Sequence, residues 1–260
     1  MKLVTSLVFL MDDLTFLVFC IYEFDMTQQE AGILFCVTAL CLFMYGITIS
    51  GYLIDKLGVK ASLILGFLML SIAKFVLTFA DSRIQLYLIM VTLSPLGISI
   101  VFPSLMLGVK RLTVAGPMRS LSFSLFYASM IIGALLGGPI VDFIRRDIGK
   151  TQFEYLHTNV ETGRVEKRYM EVSAWRTICF FGFLLNVSML ILCCTYNRKV
   201  EDKFDNEQVD VSNLSFTELF SEILKDFRFW RFMLFSFAIV GSKMVFALLF
   251  FMIPKMMTQD

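Results

Sequence analysis

Two adjacent carboxylates, Asp12 and Asp13, interrupt an apolar run near the start of the chain, and two lysines, Lys74 and Lys243, lie inside later apolar runs. An ionised side chain at the centre of a bilayer costs at least ~2.5–3.5 kcal/mol on insertion scales, so each such group is a candidate for binding a proton, an ion or a charged solute. Neighbouring residues on a helix point about 100° apart, so Asp12 and Asp13 cannot face the same way. One is expected to face a cavity and the other a neighbouring helix or water. The competing structural reading is that the membrane span starts later, or that the acids pair with a base for packing. Lys243 lies midway along its run and could bind an anion or pair with Asp12 or Asp13. Lys74 lies within ~10 Å of the end of its run at 1.5 Å per residue, and is expected to snorkel to the surface.

Other chemistries find no support. The six cysteines (Cys20, Cys36, Cys41, Cys179, Cys193 and Cys194) sit in apolar runs or at their ends, without the spacing of a zinc site or a redox pair. The single histidine, His157, lies in a polar stretch. There is no phosphate-cradling glycine loop. The chain is therefore read as not an enzyme, with no cofactor and no metal.

The elements that carry these residues follow from composition. Hydrophobic residues make up 57%, charged residues 17%, and mean hydropathy is +0.75, too little charge to cover a soluble domain of 260 residues. A net charge of +1 gives no reason to expect a nucleic acid. With about 20 apolar residues needed per spanning helix, runs at 1–22, 29–51, 61–80, 84–108, 120–141, 174–194 and 230–254 are read as seven spans within the lipid bilayer. The first could pass for a signal peptide with Lys2 as its basic region, but Asp12 and Asp13 break its core and no small-residue cleavage site follows. Short-loop lysines and arginines place 52–60, 109–119 and the N-terminus on the cytoplasmic side, and 142–173 outside. In that outer segment, Phe153, Tyr155 and His157, then Thr162-Gly163, then Val165 and Tyr169, read as a β-hairpin. The 195–229 connection contains a capping-box pattern, Ser215 with Glu218, ahead of Leu219, Phe220, Ile223, Leu224 and Phe227, the mark of an amphipathic helix at the inner surface.

The polar connection after the second span reads Gly51-Tyr52-Leu53-Ile54-Asp55-Lys56-Leu57-Gly58-Val59-Lys60. Its pattern G-x-L-x-D-K-x-G-x-K resembles the loop between the second and third helices of the major facilitator superfamily, matching at Gly51, Leu53, Asp55, Lys56, Gly58 and Lys60. Val59 stands where the family usually has a base. The resemblance implies an all-α polytopic membrane protein: a six-helix N-terminal bundle of the major facilitator fold (1–194), a cytoplasmic linker (195–229) and one further transmembrane helix (230–260). It also implies about 12 helices in the complete transporter, so the chain is expected to be a fragment whose missing C-terminal helical bundle is a partner.

By the same resemblance, Asp55 belongs to a cytoplasmic charge network with a base at the inner end of the fourth span, Arg111 or Lys110. The first, second, fourth, fifth and seventh spans would line the cavity, and the third would be peripheral. Asp12, Asp13, Tyr127 and Lys243 are the candidate proton- or substrate-binding residues. The fifth span, with Phe126-Tyr127 and Gly133, is also similar to a pattern of proton-dependent oligopeptide transporters, with Ile131 where that pattern has Asn. Gly133, Gly137, Gly138 and Pro139 are read as helix-packing residues. The expected function is secondary active transport of a small molecule or ion by alternating access, as a symporter or antiporter. The alternative is a non-transporting receptor or scaffold that keeps the fold, which has no need for the loop motif or the intramembrane acids.

Overall fold

A computed structural model describes residues 1–113, 116–148, 152–158, 165–171 and 173–195. All lie in one compact unit, residues 1–209. The seventh span with Lys243, and the linker with its amphipathic helix, lie outside the described residues.

The described part is helical apart from one hairpin. Its helices are α1 (Lys2–Phe24), α2 (Gln28–Tyr45), α3 (Gly51–Thr78), α4 (Arg83–Leu88), α5 (Ser94–Leu112), α6 (Pro117–Phe143) and α7 (Ala174–Thr195). Turns of π-helix at Gly46–Ser50 and Ile89–Leu93 join α2 to α3 and α4 to α5, and a third, Ile144–Ile148, extends α6. Five continuous helical runs are long and apolar enough to cross a membrane. The segment read as an external hairpin contains β1 (Gln152–Thr158) and β2 (Val165–Glu171), paired antiparallel from Gln152↔Glu171 to Thr158↔Val165.

The ends of the helices follow from local chemistry. Asp25 stops α1 in the left-handed conformation at φ 48°. Thr27 then opens α2 with a capping box: the Glu30 amide donates to Thr27 Oγ1 at 3.3 Å, and the Thr27 amide donates to Glu30 Oε2 at 2.8 Å.

The connection at 52–60 corrects the sequence reading. It is helical on both sides of a single residue, Gly58, whose φ of 79° and ψ of 167° break an otherwise continuous run from Gln28 to Thr78. A straight helix of 51 residues would be ~76 Å long, more than twice a ~30 Å hydrocarbon core. Gly58 divides it into two spans without a separate loop, because only glycine takes this backbone conformation without strain. A Cβ added at Gly51 would meet nothing within 4 Å among the described residues.

Packing rests on close helix contacts, as expected where lipid supplies no hydrophobic drive between helices. Against α1, a Cβ at Gly133 would lie 2.3 Å from the carbonyl oxygen of Leu3, and one at Gly137 would lie 3.1 Å from Leu10 Cδ2; at Gly138 it would meet nothing. Pro139 sits inside α6. Between α3 and α5, a Cβ at Gly66 would lie 2.6 Å from Val101 Cγ2. Lys2 is buried, with its ammonium 4.0 Å from the Phe102 ring centre and 5.0 Å from that of Phe126. In contrast, α2 buries only Ala31 and Leu34.

Candidate solute and ion site

The apolar stripe of α3 decides the site. Phe67, Leu70, Ser71, Leu77 and Thr78 are buried at helical spacing, and Lys74 falls on the same stripe. Lys74 is accordingly buried, and its Nζ forms an ion pair and hydrogen bond with Asp12 Oδ1 on α1. The snorkelling expected of Lys74 is overturned: its rotational phase on α3 turns it inward, and a partner compensates its charge. Gly182 on α7 lies against the stem, where even a Cβ would make only an ordinary contact, 3.7 Å from Lys74 Cδ. Asp12 thus has the base that the structural reading of the acids allowed for.

Asp13 faces the same surroundings without that base. Its carboxylate feels the like charge of Asp12 and the opposite charge of Lys74, and among the described residues it makes no hydrogen bond or ion pair. Asp12, Asp13 and Lys74 border one cavity of about 140 Å³ between α1, α2, α3 and the α4–α5 region. Phe9, Phe16, Phe19 and Phe35 supply most of its rings, and Cys179 touches it from α7.

Tyr127 lies elsewhere. It is on α6, 46% exposed, in an edge contact with Phe126, and it does not border this cavity. Three of the four serines of α6 are spent locally: Ser122, Ser124 and Ser129 donate to carbonyls of their own helix at 2.9, 3.1 and 2.8 Å.

At the Gly58 end, the residues of the recognised motif meet α5 and α7. Asp55 is exposed and lies within the field of Arg111, near the end of α5. Lys56 Nζ is 3.5 Å from the Tyr52 hydroxyl, and Leu53 is partly buried. Lys60 Nζ donates to the Cys194 carbonyl oxygen at 3.2 Å, satisfying a free acceptor near the end of α7. Val59, in place of a base, is buried with Leu63, Leu105 and Cys193, and a Cβ at Gly108 would lie 3.4 Å from its Cγ1. The motif therefore docks by an apolar contact there.

Sequence reasoning missed the charge cluster at the opposite end. Arg176 Nε donates to Glu23 Oε2 at 2.8 Å and its Nη2 to Asp81 Oδ1 at 2.9 Å, while Ser173 donates to Glu23. Arg83 donates to the carbonyls of Phe24 and Asp25 at 2.9 and 2.6 Å. The signal was present: Glu23, Asp81, Arg83 and Arg176 each flank a span on the same predicted side.

No grouping of His, Cys, Asp and Glu suited to a metal occurs among the described residues. A search of curated proteins gives no match. The family model for the Major Facilitator Superfamily matches residues 3–260, nearly the whole sequence. This match, which agrees with the long apolar helices, shows that the chain belongs to the major facilitator superfamily of integral, multi-pass membrane transporters.

Proposed function

We propose that the protein moves a small solute by alternating access, with a proton or another ion as the coupled species, and that Asp12, Asp13 and Lys74 form the site where both are bound. The observation that carries this reading is the grouping of two carboxylates and one ammonium around a cavity inside the spans. Such groups are expensive in a membrane unless they are used or compensated, and among the described residues only one of the two carboxylates has an ion-pair partner. The Gly58 end is assigned to the cytoplasm, and the field of Arg111 on Asp55 supports a gate on that side. A charge pair at such an interface contributes at most a few kcal/mol, enough to bias two conformations of a transporter. By the family resemblance, Lys243 is retained as a further candidate for binding the proton or the solute.

The test uses proteoliposomes of the protein with a pH-sensitive dye inside, challenged with panels of small solutes under imposed gradients. Solute-driven proton movement is expected. Asp55→Asn should slow it at least about tenfold, equivalent to ~1.4 kcal/mol in the gating equilibrium. Unchanged flux in that variant would remove Asp55 from the gate. Solute flux that ignores the proton gradient would remove proton coupling.

A further inference from the structure

We propose that Tyr45 is a strap that holds the π turn between α4 and α5 in place, and that this turn sets which residues of the span face the cavity. The inference goes beyond the transport reading and does not rest on it. It concerns the backbone beside the cavity and is measurable without solute or flux.

Proline supplies the first step. In an α-helix each amide donates to the carbonyl four residues back. Pro95 has no amide hydrogen, so the carbonyl of Val91 loses that donor. The hydroxyl of Tyr45, the last residue of α2, donates to this carbonyl at 3.2 Å. A side chain from another span thus stands in for a backbone donor that the sequence of α5 does not provide, which is how a proline is tolerated inside a membrane helix.

The π turn is the second step. The Ser94 amide donates to the Ile89 carbonyl, five residues back rather than four, across the turn Ile89–Leu93. Ile89, Met90, Ser94 and Pro95 all border the cavity. Ile89 with Ser94, and Met90 with Pro95, are each five positions apart. At about 100° per residue, such a pair would point about 140° apart on an α-helix. The wider turn brings both members of each pair round toward one side.

The tyrosine links this turn to a neighbour. Pro95 removes one bond but selects no partner, and Thr92 Oγ1 donates at 2.6 Å to the Leu88 carbonyl of its own helix. Tyr45 directly precedes the other π turn, Gly46–Ser50. The strap therefore runs from the start of one π turn to the middle of the other. A shift in either one pulls on its counterpart, beside a cavity that Leu42 of α2 also borders.

The test is hydrogen–deuterium exchange, read by mass spectrometry on the protein in lipid nanodiscs. In peptides covering residues 89–99, Tyr45→Phe should speed exchange at least about threefold, as expected for the loss of one net hydrogen bond, while residues 100–110 keep their rate. Tyr87→Phe, which removes a hydroxyl from α4 itself, should change nothing. Pro95→Ala gives Val91 a backbone donor again, so Tyr45→Phe added to it should have no further effect. The lining is read from Ser94→Cys, whose labelling by N-ethylmaleimide, followed on its own peptide, should change at least about threefold when Tyr45→Phe is added. One reading needs no tyrosine variant: in Pro95→Ala the released Tyr45 should be nitrated faster by tetranitromethane, with the exposed Tyr22 as reference. A smaller effect of Tyr45→Phe overturns the strap, as does an equal effect of Tyr87→Phe, an undiminished effect of Tyr45→Phe beside Pro95→Ala, or unchanged nitration. Unchanged labelling of Ser94→Cys overturns its role in the lining. Neither solute nor gradient enters these measurements, so loss of the strap leaves the transport reading standing, and failure of that reading leaves the strap.

Discussion

The two ion-pair clusters of the bundle use the same chemistry in opposite settings. Asp12 and Lys74 meet among buried residues, with side chains a third and a tenth exposed. Arg176 meets Glu23 and Asp81 at the helix ends, where the Asp81 side chain is 83% exposed. Water and salt weaken the Arg176–Asp81 contact most, while Arg176–Glu23, with side chains 31% and 14% exposed, is shielded about as well as Asp12–Lys74. In the buried pair each charge is hostage to the other. At the helix ends the charges tie together the end of α1, the turn before α4 and the start of α7, and each could be lost separately. A charge pair in a membrane protein is thus a functional candidate or a clasp according to its depth.

The comparison breaks first at Lys74. Lys74→Ala should destabilise the protein by about 3–5 kcal/mol, because it strands Asp12, and Asp12→Asn combined with Lys74→Met should recover most of that loss. Thermal unfolding in detergent, followed by circular dichroism across the double-mutant cycle, reads both. A loss in the double variant equal to the sum of the losses of Asp12→Asn and Lys74→Met alone would show that the two charges are not coupled. Arg176→Ala should have a smaller effect, about 1–3 kcal/mol, since it removes hydrogen bonds to Glu23, whose side chain is only 14% exposed. Asp81→Ala should cost less than about 1 kcal/mol, and what it costs should vanish in high salt, whereas the Lys74 variant should be insensitive to salt. A salt-sensitive Lys74 effect would erase the distinction between the clusters.

Much of this was legible in the residues. Apolar run lengths located the spans that the described residues cover, and the decapeptide after the second one carried the family. Asp12 and Asp13 announced themselves by cost alone. What stayed hidden was rotational. Lys74 looked peripheral when measured by its distance from the end of its run, yet its spacing from Phe67, Leu70 and Ser71 places it on the buried stripe of α3. Spacing cannot say which neighbour that stripe meets, so its pairing with α1 needed the fold. The connection at Gly58 was misread for a different reason. Charges and glycines mark a place that needs water, but a helix end can supply that as well as a loop, and only the backbone angles distinguish the two. Val59 shows the value of a departure from a pattern: what reads as a missing base is a buried contact with α5.

The Asp12–Lys74 pair also constrains how this sequence can change over generations. A substitution that neutralises either position alone leaves a bare charge between α1 and α3, so single mutational steps at these two codons are steep. Loss, exchange or reversal of the two charges must occur together, or through a neutral polar intermediate such as asparagine at position 12 with glutamine at position 74. Positions 12 and 74, 62 residues apart, should therefore be inherited as one character. Position 13 has no such partner among the described residues, so a change there strands no charge on α3.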